Sequence, residues 1–395
     1  MSESSYCTRR KRRKLNCGQP YVISRSRRRK ARTEQANLKQ EEQCRISRNI
    51  SNNKLETAFS RLPLECKVRI FSFLSDTEKC EIAKVCLDWA RVIRTPRLWQ
   101  VADFTYALAR RDLPKDKCEA IKCIKERATS YIYHFVSRGA LLRCLFFELD
   151  IIEGEEIWLK FLIYLLKMTN SHELKVVHAE WTTSPEFMPF QAEEMTWKSD
   201  RVKSFLCLLT TLSEMCPAIE EIHTPFDWSF SSVKALSTFK QLHTLELDKY
   251  WVFAVLREEN LNYLLESLPR LKRFKLSVSV PLIGMLSFPQ YIMSSESLEV
   301  LDISNSTCFF LRSVHLPALT SIATARNRWT GPLLSRDALS VPCLYNILKT
   351  GAPSLAIYNQ CIVREDWRSR VTPAFEDALK SSCYCSRHKR GNLLY

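Results

Sequence analysis

The spacing of apolar and polar positions changes character three times along this chain. Up to about residue 55 there is no helical or strand rhythm. From Phe59 to Trp99 apolar residues recur every three or four positions, which predicts three short helices. Pro63 stands where a first-turn proline is tolerated. Val68, Phe71 and Leu74 follow at helical spacing, and Ile70 and Phe73 widen the apolar side. Ser75-Asp76 offers a cap for the second helix, with Lys79 at the position where a capping box would place Glu. Ile82, Val85, Cys86 and Trp89 continue the stripe, and Thr95-Pro96 ends the third helix. A further helix is predicted from about 114 to 137, on Ile121, Ile124, Ala128, Ile132 and Phe135.

Beyond residue 140 a degenerate L-x-x-L-x-L pattern returns every 21 to 45 residues. It reads Leu142-Leu145-Phe147, Leu174-Val177-Ala179, Ile219-Ile222-Thr224 and Leu242-Leu245-Leu247, then Leu271-Phe274-Leu276, Leu298-Leu301-Ile303 and Leu319-Ile322-Thr324, with Leu355 and Ile357 opening an eighth. Apolar helical runs at 158–168, 202–215, 233–239 and 261–268 lie between. Such a helix-turn-strand unit cannot bury its own apolar face, whereas stacked units can. The expected fold class is therefore α/β: a three-helix module, then an irregular solenoid with a parallel sheet. An ordinary α/β domain whose strands share a pattern is the alternative.

Composition removes several chemistries. The chain has only seven glycines, none clustered, so no phosphate-cradling loop and no nucleophile elbow can be written. The sixteen cysteines lie mostly inside apolar patterns, and no leading apolar run resembles a signal peptide. They read as reduced, buried small hydrophobes. The longest membrane-like stretch, 161–166, is far short of the ~20 residues a bilayer span needs.

Charge is unevenly spread. Residues 1–50 hold fifteen Lys/Arg against four Glu, or +11 of the net +16. Two blocks carry most of it: Arg9, Arg10, Lys11, Arg12, Arg13 and Lys14, then Arg25, Arg27, Arg28, Arg29 and Lys30. Like charges this dense predict a tail that is disordered when free. Two clusters ten residues apart suit a bipartite nuclear-import signal, with an importin as partner and the nucleus (and the cytoplasm beside it) as location. Non-specific nucleic-acid or polyanion binding through the tail is the competing reading.

The 59–99 segment resembles the F-box family. The residues that carry the likeness are Leu62-Pro63, Glu65, Ile70-Phe71, Leu74, Val85-Cys86, Trp89 and Leu98-Trp99, with Cys66 where the family more often has leucine. The resemblance implies docking to the Skp adaptor and, through it, a cullin scaffold of a ubiquitin ligase. The contacts carried over are Leu62, Pro63, Glu65, Ile70, Phe71, Leu74, Val85, Cys86 and Trp89. Leu62, Pro63 and Phe71 are the first choices as anchors, and Val85 and Trp89 are the ones that could serve the module's own core. The later repeats resemble leucine-rich repeats, which implies a target-protein-binding surface. On this reading the chain divides into a basic tail (1–52), an F-box (53–103), a linker helix (104–140), a repeat domain (141–380) and a terminal tail (381–395). It is a non-catalytic receptor subunit with no cofactor and no membrane contact.

Other constellations fall short. His172-Glu173 with His178 misses the zinc H-E-x-x-H spacing, because the second histidine is six positions on. Cys383, Cys385 and His388 would supply three metal ligands with no fourth in the neighbouring sequence, so no metal site is predicted. Trp181, Trp197, Trp228, Trp251 and Trp329 are candidate partner anchors.

Overall fold

A computed structural model of the chain describes residues 59, 61–107, 116–148, 157–169, 171–180, 193–249, 256–280, 289–325, 341–385 and 388. The basic blocks at 9–14 and 25–30 lie outside these residues.

The first three helices are α1 (Leu64–Phe71), α2 (Asp76–Ile82) and α3 (Leu87–Ile93). Pro63 precedes α1 with extended backbone. Ser75, not Asp76, caps α2, which moves the capping box to Glu78. The Ser75 amide donates to the Glu78 carboxylate at 2.8 Å, and the Glu78 amide donates to Ser75 Oγ at 3.3 Å. This corrects the placement of Lys79. That lysine instead turns inward, with its ammonium 3.0 Å from Asp76 and 3.0 Å from the Leu98 carbonyl. After α3, a single 3₁₀ turn at Pro96–Leu98 follows the proline stop.

The remainder is mixed α/β. In chain order come β1 (Val101–Asp103), α4 (Phe104–Ala107), α5 (Lys117–Val136), β2 (Cys144–Glu148), α6 (Ile157–Met168), β3 (Val176–Glu180), α7 (Glu193–Met215), β4 (Glu221–Phe226), α8 (Phe230–Leu236), β5 (Thr244–Lys249), α9 (Glu258–Ser267) and β6 (Arg273–Leu276). Next are β7 (Gln290–Ser294), β8 (Val300–Ile303), β9 (Phe310–His315), β10 (Ser321–Thr324), α10 (Leu344–Gly351), β11 (Ile357–Tyr358), β12 (Cys361–Ile362) and α11 (Pro373–Ser382). Among the described residues ten strands form one sheet, ordered β1-β2-β3-β4-β5-β6-β8-β10-β11-β12, and every pairing but the last is parallel.

The register explains why the sequence pattern returns. Leu145, Val177, Ile222, Leu245, Phe274, Leu301 and Ile322, the second apolar position of seven units, are direct partners in one row across the sheet. All are buried. Side chains alternate between faces of a strand, so a one-residue slip anywhere in the row would turn its apolar set to water. The row runs on to Ala102 of β1, which the pattern did not show, and to Tyr358 of β11 in the eighth unit, one position beyond the Ile357 read there, which is exposed. Helices cover this face, and one continuous apolar core reaches from Phe71 to Leu379.

Three features were not anticipated. β1 adds a strand directly after the three-helix segment. β7 and β9 pair with each other in a separate two-stranded parallel sheet. The chain reverses at Asn359-Gln360 to add β12 antiparallel. Both turn residues have positive φ (46° and 68°), the backbone of a two-residue hairpin turn, here formed without glycine.

Candidate docking surfaces

Phe71 is 3% exposed and forms a three-ring cluster with Phe59 (5.3 Å) and Trp89 (5.5 Å). Beside it the Lys67 ammonium, on a buried side chain, is 2.9 Å from the Asp88 carboxylate and ties α1 to α3. Trp99 is fully buried and its indole N–H donates to the Ile93 carbonyl at 2.7 Å. These contacts hold α1, α3 and the segment after α3 together from within.

The positions singled out for adaptor binding therefore divide. Leu62, Pro63, Glu65, Ile70 and Val85 face solvent, while Leu74, Cys86 and Trp89 are half-buried. Cys86 caps α3, its sulfur accepting from the Trp89 amide at 3.5 Å. Phe71, chosen as an anchor, is core, because the side of α1 that bears it packs on Phe59 and Trp89. Of the two residues that could have served the module's own core, Trp89 joins the internal cluster and Val85 does not. Three further apolar side chains of this segment, outside the carried-over set, also face solvent: Leu64, Phe73 (74% exposed) and Leu87 (80% exposed). The signal for Phe73 was present, since apolar residues crowd nearly every side of that segment. Leu64 and Leu87 are the first residues of α1 and α3. Leaving this many large apolar groups in water is unfavourable for an isolated chain, and such exposure marks interaction sites.

The three-helix segment is fused to the α/β elements after it. Tyr131 of α5 donates to Asp76 at 3.2 Å and accepts from the Asp103 amide at 3.1 Å, so one hydroxyl joins α2, α5 and β1. Burial drives the Tyr131 hydroxyl pKa well up, and the Asp76 carboxylate adds to it. His134, edge-on to Trp99 with ring centroids 4.3 Å apart, is held neutral by burial, its pKa pushed down to about 4.

A second surface is the open face of the sheet. One row there reads Phe146, His178, His223, Glu246, Lys275, Asp302 and Ala323. The His178 and His223 rings lie against each other at a tilt of 49°, centroids 4.1 Å apart. His178 thus meets His223 on the neighbouring strand, and not the exposed His172 of the sequence near miss. Its Nε2 lies 2.8 Å from Glu180 without an aligned hydrogen bond. His223 pairs with Asp248 at 2.5 Å and Lys275 with Glu246 at 2.8 Å. Burial lowers the His223 pKa, but Asp248 and Glu246 more than offset it, leaving the pKa raised. Burial raises the Asp248 pKa, and the His223 and Lys275 charges reverse that, leaving it lowered. At the strand entrances Lys175 pairs with Glu220 (2.6 Å) and Lys272 with Glu299 (2.8 Å). Opposite charges on the exposed strand positions are thus largely matched strand to strand. Among the proposed tryptophan anchors, Trp228 is buried, its carbonyl accepting from Asn260 at 2.9 Å. The side chains of the other four fall outside the described residues.

Comparison with known proteins bears on the first surface. Residues 59–105 match the F-box-like family model. The chain carries an F-box-like domain, and this domain spans α1 through β1. No curated protein matches the chain as a relative.

Proposed function

We propose that this chain is the substrate-receptor subunit of a Skp–cullin–F-box ubiquitin ligase. The F-box-like domain docks the Skp adaptor, which bridges to the cullin. The sheet and its helices act as a leucine-rich-repeat-like solenoid that binds a target protein on the open face. The observation that carries the reading is the set of exposed apolar side chains in the matched segment: Leu62, Leu64, Ile70, Phe73, Val85 and Leu87. Burying them in a partner's groove supplies the drive for association. The chain itself makes and breaks no bond. Its contribution is proximity, turning a bimolecular encounter between target and conjugating enzyme into a local one. The basic blocks at 9–14 and 25–30 add nuclear delivery to the proposal, tested by the location of a tagged chain with both blocks neutralised.

The test is capture of purified Skp adaptor by the full chain and by Phe73→Asp. Capture by the folded wild type, and at least tenfold weaker capture by the variant, supports the reading. A folded wild type that does not bind the adaptor overturns it.

A further inference from the structure

Three cysteines and one histidine converge at the end of the sheet. Cys343 precedes α10, while Cys383, Cys385 and His388 follow α11, forty residues and more downstream. Their ligand atoms, three sulfurs and one ring nitrogen, all lie within 4.8 Å of one another. His388 Nδ1 is 3.4 Å from Cys385 Sγ and 3.8 Å from Cys343 Sγ. The three cysteines are free thiols. Cys383, Cys385 and His388 are buried and Cys343 is partly so.

The chain reaches this arrangement by ordinary local geometry. Cys383 leaves α11 in extended conformation (φ −82°, ψ 135°). Alternate residues of an extended segment face the same way, so Cys383 and Cys385 share one side. Tyr384 between them stacks edge-on with Phe310, centroids 5.0 Å apart. The His388 amide donates to the Cys385 carbonyl at 3.2 Å, a turn that folds the imidazole back over the sulfurs. The Leu344 amide donates to Cys383 Sγ at 3.5 Å. An amide aimed at a sulfur is the outer-shell support a thiolate ligand needs.

These distances match a known coordination figure. Zinc bonds of about 2.3 Å to sulfur and about 2.0–2.1 Å to nitrogen give tetrahedron edges of about 3.6–3.8 Å. The sulfur–nitrogen separations already bracket that edge. Four protein ligands leave no open position, the mark of a structural rather than a catalytic site. The soft, three-sulfur donor set selects against calcium and magnesium.

We propose that Cys343, Cys383, Cys385 and His388 form a structural zinc site that clamps the segment after α11 to the start of α10. Each thiol gives its proton to solvent as it ligates the ion. The clamp secures the layer where Ser382 Oγ meets the Tyr358 hydroxyl at 2.7 Å and accepts from Asn359 Nδ2 at 3.1 Å.

The full chain, purified under reducing conditions, is assayed for zinc and then, stripped, titrated with cobalt(II). One zinc per chain is expected, and cobalt should give the thiolate charge-transfer and tetrahedral d–d bands, both abolished by one equivalent of zinc. Cys383→Ser/His388→Ala should lose the metal, while Cys308→Ser, outside the cluster, should keep it. Chelation should lower the wild-type melting temperature and leave the double variant unmoved. A wild-type chain that takes up no stoichiometric metal overturns the proposal, as does a Cys343 disulfide with Cys383 or Cys385 found by mass spectrometry in place of a metal-binding form. If the double variant does not fold, the cobalt spectrum of the wild type alone decides.

Discussion

Phe71 and Phe73 stand two positions apart, yet one is sealed among rings and the other lies in solvent. They should answer substitution in opposite ways. Phe71→Ala leaves a cavity between Phe59 and Trp89 and is expected to cost roughly 3–5 kcal/mol, read from denaturant unfolding. Phe73→Asp should leave stability within about 0.5 kcal/mol and act on adaptor capture instead. A second residue-scale expectation concerns His223 and Asp248. His223 has a raised folded pKa, so its stabilisation is complete below about 6.5 and fades as pH rises through the folded value. Asp248 has a lowered folded pKa, so its share is complete above about 3.9 and fades as pH falls. Asp248→Asn should therefore drop the His223 pKa, since burial then acts with less opposition. The stability gap between wild type and variant should narrow as pH rises past neutrality. An NMR titration of the His223 ring reads the first, and melting curves across pH read the second. An unchanged His223 pKa in the variant would show that the pair is not what holds it.

At the scale of elements, legibility followed the kind of signal each element carried. The strands of the main sheet were visible because each spends its apolar second position in the same row, and the chain repeats that demand. β7 and β9 sit outside the row, so Gln290–Ser294 and Phe310–His315 had no pattern to join. β1 was hidden because Val101–Asp103 is three residues long and offers one small inward side chain, Ala102. The capping of α2 turned on a one-residue choice between two good caps. Cys343 could not be joined to the Cys383–His388 cluster by spacing, since only the fold brings residues so distant together. Gly351, at the end of α10, carries an element-scale prediction. A Cβ built there would lie 1.7 Å from the Val314 carbonyl oxygen, because α10 comes flush against β9. The Gly351 carbonyl accepts from the Leu316 amide at 2.7 Å, so the helix cannot simply move away. Gly351→Ala should cost on the order of 3 kcal/mol in equilibrium unfolding. A variant as stable as the wild type would mean α10 is free to shift.

On the whole-molecule scale, the F-box-like domain and the sheet do not meet across a flexible tether. β1 is the last element of one and the first strand of the other, and the Tyr131 hydroxyl pins α2, α5 and β1 at one point. Their apolar interiors form one cluster. The described chain should unfold as a unit, so fluorescence from buried Trp99 and far-UV circular dichroism should trace the same thermal transition. Two separated transitions would mean the junction is weaker than its contacts.

The hairpin at Asn359-Gln360 bears on self-association. A parallel ladder that grows by adding like strands has no natural stopping point, and an unpaired outer strand is a template for a neighbouring chain. Here the ladder is turned back on itself by β12, which covers the outer edge of β11 with a strand of two residues. That new edge is too short to recruit a partner strand. The reversal lets a sheet of this breadth end at that side without inviting fibrillar stacking.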